Sequence, residues 1–172
     1  MIRLAREEDL AEVARIFEEI LDKEEREGSY TNWVRGKYPT EAHARAALEK
    51  GELYVGEEDG MLYGSVVLNH DQLAEYAKIP WRYEAKDEEV WVIHMLCIRP
   101  SCAGQGHGRE FVAFAEELAR EKCCKVVRID TYEGNIPAAE LYTSLGYRLA
   151  GNTLFFFQQV IWENLICLEK EL

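Results

Sequence analysis

A β-branched run from Val90 to Ile98 feeds a glycine-rich turn, and an amphipathic helix follows it. The turn reads Ile98-Arg99-Pro100-Ser101-Cys102-Ala103-Gly104-Gln105-Gly106-His107-Gly108-Arg109. A strand, tight turn and helix in that order must return to a second strand, and Lys125 to Thr131 supplies a β-branched one. The unit predicts a parallel pair of strands in the middle of a sheet, so the chain is read as α/β with a mixed sheet. Gly104, Gly106 and Gly108 alternate along the turn and leave its amides bare at a helix N-terminus. Unpaired N–H groups and the helix dipole favour an anion there, so a phosphate-bearing cofactor is the natural occupant. Neither familiar nucleotide fingerprint fits. A dinucleotide motif counted from Gly104 needs glycine where Arg109 stands, and no Gly-Lys-Ser/Thr follows as a P-loop requires. A ligand-free turn is the other reading of the glycines taken alone.

The remaining elements can be read along the chain. Ile2 to Ala5 is a short first strand. Leu10, Val13, Ile16, Phe17, Ile20 and Leu21 recur at three- and four-residue steps, which predicts a helix with one buried stripe. Thr40 is the expected N-cap of a second helix that runs to about Lys50 and stops at Gly51. Leu53 to Glu57 and Met61 to Asn69 read as a hairpin around Glu58-Asp59-Gly60. His70 to Glu89 has no clear period and carries Tyr76, Trp81 and Tyr83. It reads either as an Ω-like surface loop or as the wall of a binding site, since exposed aromatics gathered in one loop need a partner surface. A third helix is expected from about Gly106 to Lys122, and Pro137 suits the first turn of a fourth that ends before Gly146. Tyr147 to Phe157 and Trp162 to Leu168 complete the sheet as an antiparallel pair. In that pair Phe155-Phe156-Phe157 either fills the core or meets a second copy.

About 25 residues beyond the glycine turn comes Asn135-Ile136-Pro137-Ala138-Ala139-Glu140-Leu141-Tyr142-Thr143-Ser144-Leu145-Gly146-Tyr147. Together the two segments resemble the GNAT N-acetyltransferase superfamily. In that superfamily a strand, a Q/R-x-x-G-x-G/A loop and a helix bind the pyrophosphate of acetyl-CoA, and an N-x-x-A-x-x-L-Y-x-x-L-G-[FY] segment lies beside the thioester. The second pattern is met at Asn135, Ala138, Leu141, Tyr142, Leu145, Gly146 and Tyr147. The first is met at Gly106 and Gly108 but not at its opening position, where Ala103 stands for Gln or Arg. That departure removes a polar side chain and leaves the amide donors intact.

The resemblance implies a GNAT-like acyl-CoA N-acyltransferase fold in one domain over residues 1–172, with a central mixed sheet of six or seven strands flanked by helices. It implies acetyl-CoA as co-substrate and direct transfer to an amine of a small molecule or peptide. Leu96, Cys97 and Ile98 would offer main-chain groups to the pantetheine arm. Ala103, Gly104, Gln105, Gly106, His107, Gly108 and Arg109 would cradle the pyrophosphate. Asn135 would bond the cofactor arm or cap its own helix. Tyr142 would act as general acid toward the departing sulfur, unless it is a core tyrosine with a satisfied hydroxyl.

The base is harder to place. An alkylamine near pKa 10.4 costs roughly 4–5 kcal/mol to present uncharged at neutral pH. Many members of the superfamily use a glutamate on the central strand, but Val90 to Ile98 has no interior carboxylate. His94 shares a face with Leu96 and Ile98 and is the candidate relay, or a structural histidine. Glu88, Glu89 and Asp71 are alternates. Cys97 and Cys102 have no paired base, so no covalent acyl-enzyme is expected. A non-catalytic acyl-CoA-binding module is the competing reading.

Composition narrows the partners. A net charge of −12 argues against nucleic acid. It also requires a local positive patch for polyanionic coenzyme A, for which Arg99, Arg109, Lys122, Lys125 and Arg128 are the candidates. The acidic runs Glu24-Glu25-Glu27 and Asp87-Glu88-Glu89 are either solvated faces or part of a cleft for a cationic amine, with Trp33, Tyr76 and Trp81 as candidate substrate-lining aromatics. No apolar run approaches the roughly 18 residues of a membrane span. Five cysteines, an odd number, make no disulfide framework. Without a signal-peptide pattern, a cytoplasmic monomer or homodimer is expected. The histidines lack metal-ligand spacing, so no metal is expected.

Overall fold

The computed structural model describes residues 1–172. Its seven strands are β1 (Ile2–Leu4), β2 (Leu53–Glu58), β3 (Met61–Asn69), β4 (Val90–Ile98), β5 (Val126–Tyr132), β6 (Arg148–Phe157) and β7 (Ile161–Glu171). They form one sheet in the order β1-β2-β3-β4-β5-β7-β6. β4 and β5 are parallel, whereas β1/β2, β2/β3, β5/β7 and β6/β7 are antiparallel. The parallel pair therefore lies mid-sheet, as the strand–helix–strand unit requires. Four helices accompany it: α1 (Leu10–Glu27), α2 (Glu41–Glu49), α3 (His107–Glu121) and α4 (Ile136–Ser144). None is long and apolar enough to cross a membrane.

Local chemistry sets the boundaries. α1 buries Leu10, Val13, Ile16, Phe17 and Leu21, the stripe expected from their spacing. It ends at Gly28, whose φ of 109° suits only glycine and whose N–H reaches the Glu24 carbonyl at 2.9 Å. Thr40 opens α2 in a capping box with an unusual partner. Its N–H donates to Nδ1 of His43 at 3.1 Å, the role Glu or Gln ordinarily takes. Burial lowers the His43 pKa and keeps that nitrogen an acceptor. The β2–β3 turn places Asp59 and Gly60 at φ 50° and 78°, the paired positive values of a tight hairpin.

Packing divides the chain into two compact units. One comprises Met1–Ser29, Trp33–Leu68 and Met95–Phe114; the other comprises Tyr30–Asn32, Asn69–His94 and Ala115–Leu172. The first has its core among Val13, Phe17, Ala44, Leu53, Val55 and Cys97. The second has its core among Tyr76, Val90, Val92, Phe155, Leu165 and Cys167.

The stretch 70–89 departs from the exposed aromatic loop expected of it. It contains two 3-10 turns, Ala74–Lys78 and Asp87–Glu89, and Tyr76 is only 2% exposed. Trp81 donates its indole N–H to the Tyr76 carbonyl at 2.8 Å, and the Arg128 guanidinium lies 4.2 Å from its ring centroid. The Arg82 amide donates to Glu169 at 2.8 Å. Tertiary partners, not periodicity, give this segment its order. Strand alternation splits the phenylalanine run: Phe155 is buried, while Phe156 stacks on Trp162 at the surface.

Candidate active site

Parallel pairing of β4 with β5 stops at Ile93↔Ile129, although both strands continue. Two residues on, Met95 takes φ 49°, a left-handed value that turns a strand out of register. Asp130, Thr131 and Tyr132 go on pairing with β7 alone. Leu96, Cys97 and Ile98 have no register partner on β5. Burial pushes the Cys97 thiol up to about 11, and its sulfur lies 3.2 Å from the Ser65 hydroxyl, so it is no nucleophile.

In the glycine turn the chain makes one 3-10 turn, Pro100–Cys102, and then passes through Gly104 at φ 76° and Gly106 at φ 92° before α3 begins. The amides of Ala103 and Arg109 bond to the Pro100 and Gly106 carbonyls. Those of Gly104, Gln105, Gly106, His107 and Gly108 have no backbone acceptor. Residues 103–106 are exposed. Bare donors at the start of a 15-residue helix fit a diphosphate. The His107 side chain does not join them. Its ring turns inward, stacked at 3.9 Å on Tyr63 and bonded through Nδ1 to Glu110 at 2.9 Å, so only its amide is available.

A Cβ at Gly106 would meet nothing within 4 Å, so alanine there is opposed by backbone conformation alone. Gly106→Ala is expected to cost about 1–2 kcal/mol of stability, a few degrees in Tm, and to weaken acetyl-CoA binding about tenfold or more. Calorimetric titration with acetyl-CoA checks this, and unchanged affinity would remove the loop from the cofactor site.

The positive patch expected near the turn is largely committed elsewhere. Arg99 is buried and paired with Glu12 and Glu19, Lys125 meets Glu89 at 2.5 Å, and Arg128 bonds Gln72 and the Tyr83 carbonyl. Lys122 lies over the Trp91 ring. Arg109 is exposed at the first turn of α3. Backbone amides, rather than a cationic cluster, are what the turn offers a phosphate. The acidic runs have local partners, Glu25 with Arg35, Asp87 with Gln72 and Glu89 with Lys125, while Glu24 is buried and accepts from the Ser29 hydroxyl at 3.1 Å.

In the second unit, α4 carries Tyr142. Asn135 caps the helix, its side-chain oxygen accepting from the Ala138 N–H at 3.3 Å, which is one of its two expected roles. Tyr142 is 3% exposed and packs edge-on against Tyr147 at 5.7 Å. It is not a core tyrosine with a satisfied hydroxyl, because its oxygen has no hydrogen-bond partner in the chain and is not sealed from solvent. Burial, with the Asp130 charge behind it, pushes the phenol pKa up, so the proton stays on until a stronger base appears.

Asp130 is the functional group that sequence reading passed over. It sits one residue past the last β4–β5 pair and accepts a 2.6 Å hydrogen bond from the Tyr76 hydroxyl. Withdrawal from water pushes its carboxyl up to about 6 against the help of that hydrogen bond, with Glu75 adding repulsion. A carboxylate poised there can take a proton near neutral pH. His94 is half-buried and held through Nε2 to Asn69 Oδ1 at 3.0 Å. Burial lowers it to about 4, which leaves a neutral ring of little basicity. Among the aromatics, Tyr76 holds Asp130 and Trp81 covers Tyr76 at 5.1 Å. Trp33 belongs to the other unit, edge-on to Phe17 and Tyr38.

A mid-sheet parallel pair that parts, amide donors at a glycine turn and an unpartnered tyrosine define an α/β protein of the acyl-CoA-binding type. The chain belongs to the acetyltransferase (GNAT) family, whose model matches residues 13–147. A search of curated proteins finds no match. Solved structures share the fold at low identity. An acetyltransferase of the GNAT family from Streptococcus agalactiae superposes with a TM-score of 0.83 at 21% identity, covering 100% of this chain and 95% of that one. A ribosomal-protein-alanine N-acetyltransferase from Brucella melitensis gives 0.70 at 21% identity, over 100% and 99% of the two chains. A Salmonella typhimurium relative, solved with its cofactor acetyl-CoA, gives 0.70 at 19% over 99% and 92%.

Proposed function

We propose that this protein is an acetyl-CoA-dependent N-acetyltransferase that moves the acetyl group directly to an amine, with Asp130 as general base and Tyr142 as general acid. The observation that carries the proposal is the Tyr142 hydroxyl, without a partner in a residue only 3% exposed, in the charge field of a carboxylate raised to about 6.

The amides of Gly104 to Gly108 would hold the pyrophosphate, and Leu96 to Ile98 the pantetheine arm. Acetyl-CoA supplies an acetyl thioester, whose C–S bond breaks as the acceptor's C–N bond forms. Asp130 accepts the first proton from the acceptor ammonium and exposes the nitrogen lone pair. Tyr142 gives its proton to the departing sulfur and recovers one from the acylated nitrogen. Asp130 then returns its proton to solvent, so one acetylamide, one thiol and one proton result. Asp130 fits the base better than His94 because a group near 6 is the stronger proton acceptor at neutral pH. It also supplies the carboxylate whose absence from β4 favoured a non-catalytic module. His94 is a positioning residue: with the Asp71 amide, it holds the Asn69 side chain.

Thiol release from acetyl-CoA in the presence of polyamines, amino acids and aminoglycosides tests this reading. Turnover with an amine is expected; binding of acetyl-CoA without turnover across the panel would return the protein to the module reading.

A further inference from the structure

Three buried carboxylates of this chain each meet a cation: Asp9 pairs with Arg3, Glu116 with Lys170 and Glu169 with Arg148. Glu163 and Asp130 do not. Glu163 is 6% exposed, yet its recorded partner is neutral, the Asn32 side-chain amide at 2.7 Å. Asp130 is likewise held only by a phenol. Neither has a lysine or arginine within ion-pair distance. Withdrawing a carboxylate from water without a counterion is costly, and Glu163 bears that cost as a buried acid, while Asp130 is half-buried.

The two acids share a face. Asp130 stands directly opposite Cys167 in the β5–β7 register, and Cys167, Leu165 and Glu163 alternate along one side of β7. Between them on that face stand Leu165, packed in the core of the unit, and its opposite residue Tyr132, which is partly exposed; buried Phe155 lies opposite Glu163. Four residues of strand place the two backbones roughly 13 Å apart, and the side chains shorten that gap. Each carboxyl is near enough for the Asp130 charge to raise Glu163. The Tyr142 hydroxyl, in a residue 3% exposed, also lacks a hydrogen-bond partner, and the Asp130 charge reaches it.

We propose that the acceptor is a linear amine bearing a second ammonium group, with Asp130 receiving the nitrogen to be acetylated and Glu163, braced by Asn32, binding the distal cation. Diamines and polyamines are the class that matches two negative ends set apart on one largely apolar strand face. The inference rests on the acetyltransferase reading for the role of Asp130, while the Glu163 subsite makes a binding claim of its own. The distal carboxylate also sets length. A short diamine cannot reach both ends, whereas a chain of roughly 7–10 Å between nitrogens can.

The test is a ladder of α,ω-diamines with three to ten methylenes, each beside the monoamine of equal length, scored by thiol release and by calorimetric binding to the intact protein. A length optimum is expected, at which the diamine exceeds its monoamine by about 30-fold or more in kcat/KM. Glu163→Gln should reduce that preference to a few-fold and leave the monoamine rate nearly unchanged. Equal use of monoamines and diamines, or a preference that survives Glu163→Gln, overturns the proposal. If no amine is acetylated, the function proposed above fails. Diamine binding that exceeds monoamine binding and is lost in Glu163→Gln would still establish the subsite, and its absence would refute that too. Circular dichroism and Asn32→Ala serve as controls. Asn32→Ala should weaken diamine binding while leaving monoamine binding alone.

Discussion

Tyr142→Phe is expected to lower kcat by about 10²-fold or more while leaving the KM for acetyl-CoA within a few-fold of the wild type. General acid catalysis contributes about 10²–10⁴-fold where a positioned group donates in the transition state. The deleted atom makes no hydrogen bond in the chain, so no partner is orphaned and no packing is lost. Tm should therefore stay within about 1–2 °C. The combination separates a chemical role from a structural one. A structural tyrosine would lose stability and binding together, whereas a proton donor loses turnover alone. Steady-state thiol release with a thermal melt on the same preparation reads both. A kcat within threefold of the wild type would eliminate the phenol as the acid.

Asp130→Asn should do more, and in opposite directions on activity and stability. Activity is expected to fall by about 10²–10⁴-fold, and the acidic limb of the wild-type pH profile, set by a group near 6, should vanish with it. The stability effect follows from linkage. The folded-state pKa of Asp130 stands at about 6 against 3.8 for the ordinary carboxyl, so the folded protein binds the proton more tightly. Its charged form therefore costs stability: the protein is relatively most stable below about 4 and loses that advantage as pH rises through 6. At roughly 1.4 kcal/mol per unit, the cost above pH 7 approaches 3 kcal/mol. Asparagine keeps a carbonyl to accept from Tyr76 and carries no charge. The variant should gain up to about 2–3 kcal/mol at pH 8 and nothing at pH 4. Urea unfolding at the two pH values measures the difference. A variant less stable at pH 8 would mean that the charge is compensated and that Asp130 is not held in readiness.

The trade between these terms explains why such a group is tolerated. A poised base must be drawn from water before the substrate arrives, and the fold carries the cost until then. Glu163 repeats the pattern: burial raises its carboxyl, and Asn32 offers only a neutral donor.

Much of the scaffold was legible from residue spacing. The α1 stripe, the Thr40 cap, the Asp59-Gly60 turn and the glycine turn before α3 are each local devices, and local chemistry dictates them. Asn135 was legible as a cap, and the 3.3 Å bond from Ala138 shows it in that role. Long-range partners were not legible. Tyr76 looked like an exposed loop aromatic because nothing within its own segment shows that Asp130, on a distant strand, accepts its hydroxyl proton. The cationic cluster failed for the same reason: the acids that occupy Arg99 lie in α1, far away in sequence.

Asp130 itself left a signal. In Val126-Val127-Arg128-Ile129-Asp130 a carboxylate follows a buried β-branched run on the same strand, and an acid drawn that far from water needs a reason. Its place beside the strand that precedes the glycine turn is a property of the sheet, which brings the strand after the crossover next to it.

Counting products on both sides of the reaction tests the central claim most directly. The purified protein is given acetyl-CoA and an accepted amine, and free thiol and acetylated amine are measured by mass spectrometry over the same minutes. One acetylamide is expected for each thiol, with no acetyl group left on the protein. Thiol released without acetylamide, or acetyl-CoA bound and never consumed by any amine, would contradict it.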